Sequence, residues 1–156
     1  MKTSSLFTFK ALAWLVALNV ATTVLHYGDN ILFFHEYPEP PWISPGLVDA
    51  FWFLMTPVAL AGLWLAHRGH RTLSSIALLT YACMSLLVLG HYRFAPLHTI
   101  SWRIHALIGL ETVAALALVA WLALSWRSSE SVSSLGRSRS YGSPGGDSSQ
   151  ESAASE

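Results

Sequence analysis

Five of the seven histidines in this chain fall at or near the ends of long apolar segments: His26, His35, His91, His98 and His105. Histidine is the side chain best suited to bind a metal ion, ligate a haem or move a proton near neutral pH. If these five residues lie on one side of a membrane, they form a candidate site. Whether they do depends on the helices that position them.

The composition predicts a membrane protein. Hydrophobic residues make up 53% of the 156 residues and charged residues only 12%, which is too apolar for an ordinary soluble domain. A helix needs about 20 residues to cross the roughly 30 Å hydrocarbon layer. Four stretches are long enough, near residues 9–27, 47–66, 72–92 and 101–126. The expected fold is therefore all-α, an antiparallel four-helix bundle integral to the membrane.

The first apolar segment has two interpretations. It follows Lys2 and Lys10, which is also how a secretory signal peptide begins, and the small residues around Ala21 could serve as a cleavage site. The apolar run nevertheless continues past them to His26 without a break, which favours a retained membrane helix. Cleavage would leave the orientation of the other three segments unchanged.

Lysine and arginine residues predict the orientation, because positively charged loops stay in the cytoplasm. Most of them lie at the N-terminus, between the second and third segments, or after the fourth: Lys2, Lys10, Arg68, Arg71, Arg127, Arg137 and Arg139. Both termini are therefore predicted to be cytoplasmic, with the 28–46 and 93–100 loops outside. All five histidines then lie on the outer side of what would be a bacterial cytoplasmic membrane.

Two segments outside the predicted helices differ sharply in composition. The outer loop, 28–46, contains four prolines within eight residues, and each proline fixes φ and removes a donor. This loop is expected to be an ordered cap across the outer helix ends, although its aromatic residues would also suit an interfacial loop that rests in lipid headgroups. The last segment, 127–156, is Ser-rich with few large apolar residues, and it is predicted to be a disordered cytoplasmic tail.

Helical spacing divides the histidines. His26 and Asp29 are three residues apart, so their side chains can meet on a helix. The aspartate could then share a metal ion with the imidazole or orient it through a hydrogen bond. His98 and His105 are seven residues apart, which is about 10 Å along one helix and too far to bind a single ion. His91, at the end of the third segment, is a better companion for His26 and His105.

The predicted metal ligands are His26, Asp29, His91 and His105. Three further residues are predicted to support these ligands: His98 and His35, which are placed nearer the surface, and Asn30. Imidazole and carboxylate ligands suit zinc, iron or copper. Because zinc–nitrogen bonds are near 2 Å, the prediction requires the three ligand imidazoles to lie within about 8 Å of one another.

Glu111 is a second candidate, because a carboxylate inside the hydrocarbon layer is costly and usually faces protein or water. It follows His105 by six residues, which turns it away from the histidine face toward another neighbour. Expected partners are Arg103, Tyr81 or Ser85, and the carboxyl group is either a proton carrier or a neutral structural acid. Glu111 and Asp29 are the candidate catalytic residues.

Three classes of function remain open from the sequence. One is a membrane-embedded divalent metal site, either enzymatic or for metal handling. Another is a b-type haem protein for electron transfer, which fits less well because the histidines lie at helix ends. The third is a bundle without catalysis: a subunit, an assembly factor or a lipid-binding protein. The bilayer is the expected environment, a homo-oligomer or a membrane-complex partner is possible, and no basic nucleic-acid surface is present.

Overall fold

The structure, a computed structural model, describes the backbone of residues 3–140 and the side chains of residues 9–126. The chain divides into two compact units, Met1–Ala123 and Leu124–Glu156. The candidate site lies within the first unit. The predicted disordered tail, 127–156, lies outside the described side chains, and its residues 141–156 lie outside the described backbone as well.

The described backbone is helical throughout, with short connections. Five α-helices follow one another: α1 (Thr3–Leu32), α2 (Pro45–His67), α3 (Arg71–Leu86), α4 (His91–Phe94) and α5 (Trp102–Ser140). Within the described residues, four segments are long and apolar enough to cross a membrane: Phe9–Leu32, Pro45–His67, Arg71–Phe94 and Trp102–Trp126. The predicted all-α four-helix bundle is confirmed, and the predicted helix ends agree with these segments within a few residues except at the end of the first.

Helix α1 continues to Leu32, beyond the predicted end near residue 27. Gly28, Asp29 and Asn30 are poor helix formers. The structure gives the two polar side chains tertiary partners: Tyr37 donates to Asp29 at 2.7 Å, and Asn30 donates to Glu39 at 2.8 Å. These contacts stabilise an extra turn whose local propensity is weak.

Helices α2 and α3 form a hairpin through a tight turn. Gly69 in that turn has a φ of 82°, a conformation that glycine adopts without steric cost. The two helices approach closely at Gly62, where the Ser74 hydroxyl donates to the Gly62 carbonyl at 2.8 Å. A Cβ at Gly62 would lie 2.6 Å from Leu78 Cδ2, so the close approach requires glycine.

The third membrane segment reaches its end through a 3₁₀ turn, Leu87–Gly90, which leads directly into α4. The sequence predicted that His98 and His105 lie along one helix. Instead α5 begins at Trp102, where the Ser101 carbonyl accepts from the His105 amide at 3.1 Å. His98 therefore lies in the separate 3₁₀ turn Leu97–Thr99.

The bundle has two halves of different character. The turn half, near Gly69, is built on buried apolar side chains from all four spans: Leu12, Val16, Met55, Ala59, Leu78, Ala82, Leu118 and Leu122. The cap half, beneath the cap of residues 33–44, holds most of the buried polar side chains: Asn19, Thr22, Thr23, His26, Asn30, Ser85 and Glu111. The candidate site lies in the cap half.

Candidate functional site

The centre of the site is a buried pair between α1 and α5. His26 Nδ1 lies 2.6 Å from Glu111 Oε2, and the two side chains are 2% and 0% exposed. Glu111 is nine residues into α5, about 14 Å along the helix axis, which places it near the middle of the apolar segment Trp102–Trp126. The carboxylate does turn away from His105, as its spacing predicted. The neighbour that it meets is His26, whereas Arg103 pairs elsewhere.

Aromatic rings enclose the other side of the His26 imidazole. Tyr37 stacks on it with a centroid distance of 5.7 Å, and His91 packs edge to face at 5.4 Å. Tyr37 and His91 are themselves 5.4 Å apart, so the three rings form one cluster. Within the described residues, the buried His26 Nε2 has no hydrogen-bond partner. One ring nitrogen is therefore fixed by a carboxylate, and the other keeps its bonding capacity.

His91 has a carboxylate of its own. Its Nδ1 lies 3.6 Å from Glu39 Oε1, and the two side chains are 10% and 13% exposed. The same Glu39 oxygen accepts the Asn30 amide at 2.8 Å. His26 and His91 thus contact each other, and each also lies beside a glutamate, Glu111 for His26 and Glu39 for His91.

A polar network continues from Glu111 toward the bundle centre. Thr23 lies 3.4 Å from Glu111 Oε1 and 3.4 Å from the Tyr81 hydroxyl. Beyond it, Ser85 donates to Asn19 Oδ1 at 3.1 Å. This network connects α1, α3 and α5 across the buried interior, as interhelical hydrogen bonds do in membrane bundles.

Ionic contacts fix the cap over this cluster. Asp29 accepts from Tyr37 and, at 2.5 Å, from Arg103. Arg103 also donates to Glu36 at 2.6 Å and lies 4.0 Å from the centre of the Phe33 ring. Asp29, predicted as a metal ligand or catalytic residue, therefore holds the cap, and its carboxylate is occupied by Tyr37 and Arg103.

Burial changes the acidity of two cap residues. It raises the pKa of the Tyr37 hydroxyl far above its usual range, and the hydrogen bond to Asp29 adds to the effect. Burial also raises the pKa of Glu39, although the Asn30 hydrogen bond and nearby His26 oppose the change. Tyr37 is thus a neutral donor, whereas Glu39 is a carboxyl group that takes up a proton more readily than usual.

The other predicted residues lie away from the pair. His105 has both ring nitrogens engaged at 3.0 Å, Nδ1 with the Tyr92 hydroxyl and Nε2 with the Leu97 carbonyl. His35 and His98 are exposed in the 3₁₀ turns. Only His26 and His91 of the predicted trio come together. Among the described residues, no three His, Cys, Asp or Glu side chains are arranged to hold a metal ion.

The structure also adds residues that the sequence prediction left out. Glu39 and Tyr37 lie in the proline-rich segment, which was recognised as rigid but not as part of the site. A rigid loop that carries a carboxylate and a phenol next to helix ends is the signal that could have indicated them. The partner of Glu111 gave no such signal, because spacing along α5 fixes an angle but not the helix that lies opposite.

Comparison with protein-family models, with curated proteins and with solved structures finds no match to this chain. The class therefore follows from the fold: four apolar spans make it an integral, multi-pass membrane protein. Its distinguishing feature is a buried histidine–glutamate pair in the cap half.

Proposed function

We propose that this membrane protein handles protons, and that the His26–Glu111 pair is the internal acid–base centre that takes up and releases them. The observation that carries the proposal is the 2.6 Å contact between His26 Nδ1 and Glu111 in a fully buried setting, with His26 Nε2 left without a partner. Ionisable groups at this depth are costly, and they commonly mark proton or ion pathways.

The chemistry of the pair supports this role. A carboxylate on Nδ1 holds the imidazole in one orientation and favours the tautomer whose Nε2 carries a lone pair. It also stabilises the imidazolium that forms when Nε2 accepts a proton, as the aspartate does for the histidine of a serine-protease triad. Thr23 lies 3.4 Å from the second Glu111 oxygen, although its hydroxyl donates at 2.7 Å to the Asn19 carbonyl. The Nε2 atom of His26 is therefore the base, and Glu111 is the group that positions and charges it.

The sequence-based alternatives have less support from the geometry. A metal site needs several converging ligands, and the described side chains provide no such set. A haem held between His26 and His91 would need space for a porphyrin plane, but these rings pack edge to face at 5.4 Å. A bundle without chemistry explains the Asn19–Ser85 contact well. It does not explain why an ionisable pair, rather than neutral amides, occupies the centre.

Nitrogen-15 NMR of histidine-labelled protein in lipid bilayers tests the proposal. His26 should carry its proton on Nδ1 in alkaline buffer and gain a second proton at Nε2 on acidification. His105 is a built-in control, because its Nε2 faces a carbonyl and should carry the proton in the neutral form. Substitutions His26→Gln and His105→Gln identify the two signals, and Glu111→Gln should weaken proton uptake at His26.

Two results would contradict the proposal. If His26 stays neutral and keeps one tautomer from acidic to alkaline buffer, the pair is structural and the non-catalytic bundle is correct. If the purified protein carries stoichiometric zinc, iron or copper that is lost in His26→Gln but retained in His105→Gln, the site binds a metal instead.

A further inference from the structure

We infer that the proton reaches the His26–Glu111 pair from the cap side alone, along the sequence Glu39, His91, His26, Glu111, and that the turn half is closed to it. This inference rests on the proposed function and adds the route and its direction. By the positive-inside prediction, the cap side is the outer side of the membrane.

The four side chains lie in order of decreasing exposure. Glu39 is 13% exposed, His91 10%, His26 2% and Glu111 0%. The contacts along the series are 3.6 Å from Glu39 to His91, 5.4 Å between the imidazole centroids, and 2.6 Å from His26 to Glu111. Carboxylate, imidazole, imidazole and carboxylate thus connect the rim of the cap to the buried pair.

Each imidazole has two nitrogens, so it can accept a proton on one and release a proton from the other. Glu39 takes a proton from water and gives it to His91, which then carries a proton on both nitrogens. His91 gives one of them to the His26 Nε2 lone pair, and the imidazolium of His26 is held by Glu111.

Other polar groups surround the route and set its charge. Those that face the pair or the series are Tyr27 from α1, Tyr37 from the cap, and Tyr81 from α3. Asp29 and Arg103 lie one contact further out, through Tyr37. The tyrosines are neutral, and Asp29 and Arg103 are paired with each other. The carboxyl groups next to the two imidazoles are therefore Glu39 and Glu111.

The route ends below Glu111. Thr23, Tyr81, Ser85 and Asn19 extend the polar network for about two turns of α1. Beyond them comes a layer of apolar side chains that are at most 1% exposed: Val16, Leu78 and Leu118. Such a layer offers a proton neither a donor nor an acceptor, so the turn half acts as a seal.

The first experiment measures how fast the proton that His26 Nε2 gains in acidic buffer exchanges with water, by NMR of the protein in bilayers. Glu39→Gln and His91→Phe should slow exchange by about 10²-fold, at the low end of what a positioned acid–base group contributes. His105→Phe, which removes a histidine outside the route, should leave the rate unchanged. Glu39→Gln preserves shape and carries the test if His91→Phe fails to fold.

The second experiment tests the seal with vesicles that contain the protein and a trapped pH-sensitive dye. The wild-type protein should maintain an imposed pH gradient, whereas Leu118→Ser should dissipate it and Leu118→Ser with Glu39→Gln should dissipate it more slowly. The one-sided route is wrong if vesicles with the wild-type protein lose the pH gradient, or if Glu39→Gln does not slow the leak through Leu118→Ser.

If His26 takes up a proton on acidification but the exchange rate is the same in Glu39→Gln and His91→Phe, the route fails while the proposed function stands. If His26 never changes protonation, the proposed function fails.

Discussion

The cap half and the turn half of this bundle are held together by different forces, although the same helices pass through both. In the turn half, Leu78 and Leu118 pack against residues of the other spans, and the Gly62–Leu78 approach brings two backbones close. In the cap half, side chains from α1, α3 and α5 are joined by hydrogen bonds. Lipid tails are as apolar as leucine, so the turn half is held together by close packing. In the cap half, hydrogen bonds determine which helices face one another.

This difference explains what the chain gains from its unusual polar residues. One interhelical amide, Asn19 with Ser85, would be enough to set which helices face one another. An ionisable pair deeper than the cap adds a desolvation cost that adhesion alone does not require. This contrast supports our proposals that the cap half takes up and releases protons and that the turn half is closed to them.

The largest effect is expected for Glu111→Leu. Removing the carboxylate leaves His26 Nδ1 buried without a partner, and this should lower the free energy of unfolding by about 3 kcal/mol. Unfolding by sodium dodecyl sulfate in mixed micelles, followed by tryptophan fluorescence, measures the change.

The double variant His26→Phe, Glu111→Leu is the control for this prediction. It removes both polar groups, so it should be at least as stable as Glu111→Leu alone, since an apolar pair has no unsatisfied atoms. If the double variant loses the sum of the two single losses, the residues do not interact and the cap half is held by packing like the other half.

A smaller effect is expected in the turn half for Gly62→Ala. The added methyl group would lie 2.6 Å from Leu78 Cδ2, so α2 and α3 must move apart, at a cost of about 1–3 kcal/mol. Gly109→Ala is the matched control, because nothing lies within 4 Å of its Cβ position, and it should be neutral or slightly stabilising. Equal losses for both variants in the same unfolding assay would show that the close approach is not tight.

The sequence predicted the turn half more completely than the cap half. Apolar length alone fixes the number of spans, and the short connection at Gly69 requires α2 and α3 to be antiparallel neighbours. Neither inference needs knowledge of which side chain faces which helix. The class of fold was therefore predictable from composition and spacing.

The site was predicted only in part, for a physical reason. Spacing correctly placed His26 toward the interior and turned Glu111 away from His105, because both follow from the period of a single helix. The contact between His26 and Glu111 depends on the relative rotation of α1 and α5, which no single-helix pattern contains. Glu39 was missed because its position depends on the path of an irregular loop.

Substitution of Arg103 tests whether the ionic contacts that hold the cap are weaker than the buried His26–Glu111 pair. Its guanidinium, 30% exposed, bonds to Asp29 and Glu36 together, and lysine cannot reproduce this two-pronged geometry. Arg103→Lys should cost about 1 kcal/mol, less in high salt, because partly exposed ion pairs are screened. Arg93→Lys, at an exposed arginine of α4, is the control. A loss as large as that for Glu111→Leu would make the cap, and not the buried pair, the main support of this half.

The smallest effect is expected from the pH dependence of Glu39. Burial raises its pKa above the ordinary value of 4.5, so the folded protein binds this proton more tightly than the unfolded chain does. The resulting stabilisation is fully present below pH 4.5 and is lost as the pH rises through the raised pKa. Glu39→Gln does not titrate and retains an oxygen for Asn30, so its melting temperature should change less over this range than that of the wild-type protein. If the Glu39→Gln protein keeps the wild-type pH profile, Glu39 is solvated, and the rim of the cap does not share the low polarity that distinguishes the site beneath it.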